Sequence, residues 1–202
     1  VSRDEYRRRA EIFVAVELID PATGVTLFPE RYRADLNDVA SLFAVQSGIA
    51  TRITNALEVG DSPTEQARIA RIPTESRDAY ALYLRAKDLD NREAIPLLEA
   101  AIRLDEDFAL AQALLAWRYA LGLTNSPFGL AEPVERWPEL STLAREHAER
   151  AIELDADVPD AYTALVVEAS AYWRWTEADA AFAKAMELAP TTSTGAWQLH
   201  MT

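Results

Sequence analysis

Residues 149–169 read ERAIELDADVPDAYTALVVEA, and this stretch decides the fold of the larger part of the chain. A segment with helical spacing ends at Leu154, an acidic turn containing a proline follows, and a second helical pattern begins. The same plan recurs in residues 100–120, AAIRLDEDFALAQALLAWRYA, and in residues 183–200, AKAMELAPTTSTGAWQLH. The sequence therefore predicts successive pairs of helices.

Three alanines mark the repeat. Ala101, Ala151 and Ala185 occupy equivalent positions in the three segments. The second spacing is 34 residues, a period typical of helical hairpins, and the first is 50, which is 34 plus an insertion of 16. We therefore expect an all-helical array over residues 76–202, with a degenerate first unit, an insertion at residues 123–137 and a truncated last unit.

The last complete unit resembles a tetratricopeptide (TPR) repeat. The positions that join the two helices of a TPR hairpin and end the repeat are occupied here by Leu165, Ala178, Phe182, Ala185 and Pro190. The resemblance implies that the small alanines let two helices approach closely and that Phe182 fills the space between hairpins. Proline ends a helix because it has no N–H to donate. By the same rule, Pro96 predicts a late start or a kink in the first unit.

The first third of the chain alternates with a period of two, which predicts a strand with one buried face. The residues expected on that face are Ile12, Val14, Val16 and Leu18. Residues 20–24, DPATG, predict a turn. Residues 25–32 predict a second strand, in which Pro29 indicates an edge or a bulge. A third strand at residues 1–3 would complete an antiparallel meander.

The period changes after Asp35. Apolar residues recur every three or four positions between Val39 and Leu57, which predicts a helix with one apolar stripe. Asp35 or Asn37 is the expected cap of its first turn. The stripe needs a surface to cover it, and the apolar face of the strands is the one available. Residues 59–75 contain glycine and prolines and predict a linker.

The front half is similar to a known domain. Residues 16–53, VELIDPATGVTLFPERYRADLNDVASLFAVQSGIATRI, and the connector at residues 73–84 resemble the TolB amino-terminal-like domain of bacterial signalling proteins. Two departures are that the opening strand and helix of that domain are missing and that Phe28 stands where tryptophan is usual. In that group, such a module follows an adenylate or guanylate cyclase, a Ser/Thr kinase or a winged-helix transcription regulator.

The expected fold class is α+β. A small antiparallel β-meander with a packing helix, at residues 1–58, is followed by a linker at 59–75. An all-α, TPR-like solenoid of antiparallel helix pairs occupies residues 76–202. The chain begins with valine and its last residues are typical of the start of a helix, so we interpret it as a fragment of a larger protein.

Composition narrows the classes of partner. The 202 residues carry a net charge of −13, which disfavours nucleic acid and anionic membrane surfaces. No apolar run is long enough to predict membrane insertion. The absence of cysteine excludes disulfides and thiolate metal sites. Whether the fragment is cytoplasmic or extracytoplasmic is left open.

Motifs for catalysis are not found. His147 and His200 have no acidic neighbours at metal-ligand spacing, and His147 is interpreted as a solvated residue on a charged helix. No phosphate-binding loop or nucleophile elbow occurs. We therefore expect no catalytic residue, cofactor or metal, and predict that this fragment is not an enzyme.

The TPR resemblance instead implies a groove that binds a partner. Its helices would present Leu110, Ala113, Trp117, Leu121, Asp160, Thr163 and Val167 on the concave face. That surface is apolar with an acidic edge, so a protein or peptide that is neutral or basic is the expected partner. For Trp117, packing against a neighbouring helix is an equally good interpretation.

The run at residues 172–175, YWRW, resembles a tryptophan pair of the same TPR proteins. Packing between repeats is the favoured role of Trp173 and Trp175, ahead of ligand stacking. Three functions remain open: an interaction module, a spacer that dimerises through the sheet edge, and a small-molecule sensor. In the sensor, a pocket would lie between the β-α segment and the helices, with residues 123–137 as its lid.

Overall fold

The structure is a computed structural model, and it has an α+β layout. A two-stranded antiparallel sheet is followed, within the described residues, by seven α-helices. The chain divides into two compact units, Val1–Arg77 and Asp78–Thr202. The residues that the structure describes are 11–19, 23–35, 38–56, 71–124 and 132–189.

The sheet of the first unit is a hairpin of β1 (Glu11–Ile19) and β2 (Thr26–Asp35). Gly24, in the turn, has φ +69°, a conformation that glycine adopts without strain, as the sequence indicated. The register shifts between Leu18 and Ile19. Pro29 itself stays in register, so it lies in an edge strand of this two-stranded sheet and not at a bulge. The predicted strand at residues 1–3 lies outside the described residues.

Burial along β1 follows the predicted alternation in part. Val14, Val16 and Leu18 are half-buried. Ile12, which was expected on the same face, is exposed, and Phe13 on the opposite face is also exposed. The expectation for Ile12 is therefore wrong. Helix α1 packs mainly on β2, so the side chain of Ile12 on β1 keeps contact with water.

Helix α1 (Val39–Ala56) packs on β2. Its first turn is capped by Asp38, whose Oδ1 accepts from the N–H of Ala40 at 3.1 Å, so the expected cap at Asp35 is wrong. Asn37 lies outside the described residues. A Cβ at Gly48 would lie 3.0 Å from Cε1 of Tyr32, so glycine is what lets this helix lie against the tyrosine ring.

The second unit consists of helices and short turns. A 3-10 turn, Val134–Arg136, precedes its fourth helix. The helices are α2 (Arg77–Lys87), α3 (Asn91–Leu104), α4 (Ala109–Leu121), α5 (Trp137–Leu154), α6 (Pro159–Ala171) and α7 (Trp175–Leu188).

Helices α4 to α7 pack in two successive pairs. Helix α4 packs on α5, and α6 packs on α7, while α3 with α4, α4 with α6, and α5 with α6 form the contacts between pairs. Only residues 172–174 separate α6 from α7, so these two contacting helices must run in opposite directions. The pair α6–α7 is therefore laid on the pair α4–α5, and α4, which contacts α3, α5 and α6, lies at the centre of the stack.

The repeat alanines lie at the helix contacts. Small side chains at these positions let the backbones of two helices approach closely, which confirms the expectation from the sequence. The alanines with no exposed surface include Ala94, Ala101, Ala144, Ala148, Ala151, Ala178 and Ala185.

The first pair of helices is joined to α4 by Arg118. Its Nη2 donates to the carbonyl oxygens of Ala86 and Lys87, both at 3.1 Å, at the end of α2. Helix α3 begins at Asn91, whose Nδ2 donates to the backbone oxygen of Arg118 at 3.1 Å. The late start expected from Pro96 is therefore wrong: the helix passes through the proline, which is on an exposed side.

The insertion is described in part. Residues 125–131 lie outside the described residues, and α5 begins at Trp137, the last residue of the predicted insertion. The indole Nε1 of Trp137 donates to the carbonyl oxygen of Glu132 at 3.1 Å. Phe182 is half-buried on α7.

Among the described helices, none has the length and apolar character needed to cross a membrane.

Candidate functional site

Helix α4 is open to solvent on one side. Ten of its thirteen residues are buried. The other three are Leu110, Trp117 and Arg118, and all three are half-buried. Leu110 and Trp117 are seven residues apart, which places them on one stripe of the helix. The central helix of the stack therefore has a single accessible stripe.

The structure places the predicted groove residues in two groups. Leu110, Trp117 and Thr163 are half-buried, and Asp160 is exposed, so all four present some surface. The other three have almost none, because they pack inside the stack. These buried residues are Ala113, Leu121 and Val167. The expectation that these three residues are presented on the concave surface is therefore wrong.

Asp160 is reached by water, yet protein surrounds it on several sides. This burial raises the pKa of its carboxyl group, and the positive charge of Lys87 acts in the opposite direction. Burial also raises the pKa of the Tyr83 phenol, and the charge of Asp160 adds to that effect. Asp160 is on α6, whereas Tyr83 and Lys87 are on α2. The carboxyl group of Asp160 on α6 is therefore near enough to Tyr83 and Lys87 on α2 for their charges to interact.

The candidate groove is defined by five residues with accessible surface, Lys87, Leu110, Trp117, Asp160 and Thr163, and Tyr83 is buried beside Lys87. The ammonium group of Lys87 lies 5.7 Å from the centroid of the Tyr83 ring, a cation–π contact. Tyr83 in turn contacts Phe108 at the start of α4, with ring centroids 5.2 Å apart. The surface thus offers an apolar strip with one cation and one anion beside it.

Tyr83 and Lys87 were missed in the sequence, because the first unit was expected to be degenerate. A signal was present in the spacing of the residues that α2 buries. Those residues are Ala79, Tyr80, Tyr83 and Ala86. Their spacing of three and four identifies a complete helix that can supply a groove wall.

Glu168 is the centre of a buried charge network. Its side chain has no exposed surface, and it accepts hydrogen bonds from the Ser141 hydroxyl group, from Arg145 at 2.8 Å and from Arg174. Arg145 also donates to Glu177 at 2.8 Å. Burial opposes the charged form of Arg145, but its bonds with Glu177 and Glu168 raise its pKa overall. The network connects α5, α6 and α7.

A pocket of about 360 Å³ lies beside this network. Its lining is mostly apolar, and the ion pair of Arg145 and Glu177 lies on its wall. The remaining lining residues are Tyr162, Leu165, Ala169, Ala180 and Ala181. Among the described residues, no group of histidine, aspartate and glutamate side chains could hold a metal ion.

His147 is packed between helices rather than solvated, so that expectation is wrong. Its ring stacks on the ring of Tyr119, with centroids 5.9 Å apart. Its Nδ1 lies 2.6 Å from Oε1 of Gln112, which makes the nitrogen a donor to the amide oxygen. Tyr119 donates to Glu99 at 3.0 Å. Since charged residues surround His147 in sequence, its inward orientation could be found only from the fold.

The two tryptophans at the α6–α7 turn, Trp173 and Trp175, both present surface to solvent. Trp173 is 76% exposed, and Trp175 is also exposed. Their rings contact each other edge to face, with centroids 5.4 Å apart and an interplanar angle of 88°. The expectation of packing is therefore wrong for Trp173.

Comparison with known proteins gives a distant similarity. No family model matches the chain. Over 185 residues, the chain is 30% identical to a protein of Rhizobium meliloti (strain 1021) named "Putative adenylate cyclase 3". The match covers 86% of this chain and 29% of that relative, so the chain spans less than a third of the relative's length. This similarity fits a piece of a signalling protein.

The environment of His147 predicts a dependence of stability on pH. Burial lowers its pKa below the ordinary value of 6.5, against the charges of Glu146 and Glu99. The unfolded chain therefore binds the proton more tightly than the folded chain does. The free energy of unfolding should fall as the pH falls below about 6.5. Urea unfolding at pH 7.5 and at pH 5.5, roughly one unit either side of that value, measures the difference.

The variant His147→Gln should lose most of this difference between the two pH values, because it removes the titrating group. His200→Gln is the matched control, since it removes the chain's other histidine, and it should keep the difference. Equal pH dependence in the wild type and in His147→Gln would contradict the assignment.

Proposed function

We propose that this chain is a non-catalytic interaction module of a bacterial signalling protein, and that its second unit is a TPR-type array. The stacking of helix pairs, the buried alanines and the 34-residue spacing support the TPR assignment. The first unit is proposed to be a partial TolB amino-terminal-like domain. The name of the Rhizobium meliloti relative favours a cyclase as the effector of the parent protein.

The observation that carries this proposal is the single open stripe of α4. A helix that is buried on every other side leaves Leu110 and Trp117 accessible between two flanking helices. Half-buried tryptophans in concave surfaces are typical anchors of protein interfaces. The wall formed by α6 adds the carboxylate of Asp160, and the wall formed by α2 adds the ammonium group of Lys87.

The proposed partner is an extended or helical peptide segment with an apolar anchor and a basic residue. The anchor would lie on Trp117 and Leu110, and the basic residue would approach Asp160. The net charge of −13 adds a general attraction for basic segments. Lys87 would pair with a single acidic or carbonyl group of the same segment.

Peptide selection tests the groove directly. Random twelve-residue peptides are selected on the whole chain, and the affinity of the best binders is measured by calorimetry. Trp117→Ala should weaken binding at least about tenfold, or ~1.4 kcal/mol, because it removes the anchor. Asp160→Asn should weaken the basic binders and leave neutral ones unchanged.

Val134→Ala is the control, because Val134 is an exposed apolar residue on the 3-10 turn and is not part of the groove. Circular dichroism shows whether each variant is folded. The proposed site is wrong if Trp117→Ala and Asp160→Asn, both folded, bind the selected peptides as tightly as the wild type.

A second candidate function is a dimerising spacer. The observation that favours it is the two-stranded sheet of the described residues, in which β1 carries the exposed apolar residues Ile12, Phe13 and Ile19. An unpaired strand edge is a template for pairing with another chain. The small-molecule sensor depends on a lid at residues 123–137, and residues 125–131 lie outside the described part of the chain.

Light scattering measures the molar mass over a range of concentrations and tests the spacer. Dimerisation through β1 predicts a mass that rises toward twice 22.5 kDa with concentration. Phe13→Ser should shift this equilibrium to the monomer, because it removes the largest exposed apolar side chain of the strand. A wild-type mass of one chain at every concentration would contradict the dimer.

A further inference from the structure

The turn between α6 and α7 exposes three aromatic side chains. We call residues 172–175 the aromatic turn. Tyr172 is 37% exposed, Trp173 76% and Trp175 41%. Large aromatic side chains are costly to leave in water, and a cluster of them on a surface marks an interaction site more often than a single one does.

The backbone of the turn holds Trp173 in an unfavourable conformation. Its φ is +59°, a region that glycine enters freely and that a bulky side chain rarely adopts. Two hydrogen bonds fix this geometry: the N–H of Trp173 donates to Ser170 at 3.0 Å, and that of Arg174 to Ala169 at 2.9 Å. Glycine would form the same turn without strain, so folding does not account for tryptophan here.

Buried charges hold the turn in place. The guanidinium group of Arg174 pairs with Glu168, which has no exposed surface, and its Nε lies 3.5 Å from Glu177. The same guanidinium group lies 5.4 Å from the centroid of the Tyr172 ring. Arg174, the one cation of the turn, is thus paired with partners inside the protein. The indoles are displayed on a rigid support, which reduces the entropy lost when a partner binds.

We propose that the aromatic turn is a second docking surface, and that it takes a basic segment of a partner protein, with Arg or Lys over the Trp173 indole. The face of an indole attracts cations. The exposed residue Asp179 follows the turn on α7, whereas the carboxyl group of Glu177 is already paired with Arg145 and Arg174. The net charge of −13 favours a basic partner and repels a second copy of the chain. This surface does not include any residue of the groove.

Nuclear magnetic resonance of the tryptophan indole N–H groups tests the proposal in the whole chain. The probe is a fourteen-residue amphipathic peptide of leucine and lysine, and its matched control has glutamate at every lysine position. The lysine peptide should shift the signals of Trp173 and Trp175, with an affinity that falls as salt rises. The signal of Trp137 should not move, because its N–H bonds internally to Glu132.

Two variants separate binding from folding. Trp173→Gly should weaken peptide binding, as measured by the indole signal of Trp175, at least tenfold. The melting temperature of this variant should stay the same or rise, because glycine relieves the backbone strain. Leu104→Ser removes an exposed leucine at the end of α3 and should bind as the wild type does. Trp117→Ala should leave the signal shifts at the aromatic turn unchanged. Failure of the proposed groove and failure of the proposed docking surface at the turn therefore give different results.

Four results would overturn the proposal. They are wild-type affinity in Trp173→Gly, equal binding of the glutamate peptide, loss of the shifts at the turn in Trp117→Ala, and no shift at Trp173 with the lysine peptide. Vesicles of zwitterionic phosphatidylcholine are run in parallel. Movement of the same signals with vesicles alone would show a membrane interface instead of a protein partner.

Discussion

Close contact between helix backbones at fully buried alanines is the constraint on which the second unit depends. At Ala148 and Ala178, among others, a neighbouring helix occupies the space that a larger side chain would need. Interiors are packed to the density of organic crystals, so such positions tolerate little increase in volume. The spacing of the alanines along the chain therefore determines which helices touch, and hence that each pair lies on the one before it.

Stacking in this way has a functional consequence. It buries α4 on all sides but one and leaves Leu110 and Trp117 on the accessible stripe on which the proposed groove is built. It also brings α5, α6 and α7 together around the buried carboxylate of Glu168, whose loss would leave Arg174 with less support. The same packing thus produces the groove and holds the aromatic turn.

Periodicity predicted the α+β layout, the helix pairs and the buried alanines, because each depends on local spacing. Prediction from periodicity failed where the spatial neighbours of a residue come from distant parts of the sequence. His147 lies among charged residues in the chain, yet the fold places it on Tyr119. Val167 has the spacing of a groove residue, yet it is buried inside the stack. Trp173 was expected to be packed, yet it is exposed in a turn whose positive φ no pattern of residue types reveals.

Thiol labelling tests the central claim most directly, since the chain has no cysteine of its own. Single substitutions of Ala178, Ala148 and Ala183 by cysteine are labelled under native conditions and again in denaturant. The first two alanines are fully buried and Ala183 is exposed. Stacked helix pairs predict that cysteine at Ala178 or Ala148 reacts only after unfolding, whereas cysteine at Ala183 reacts at once. Equal native rates at Ala178 and Ala183 would contradict the account.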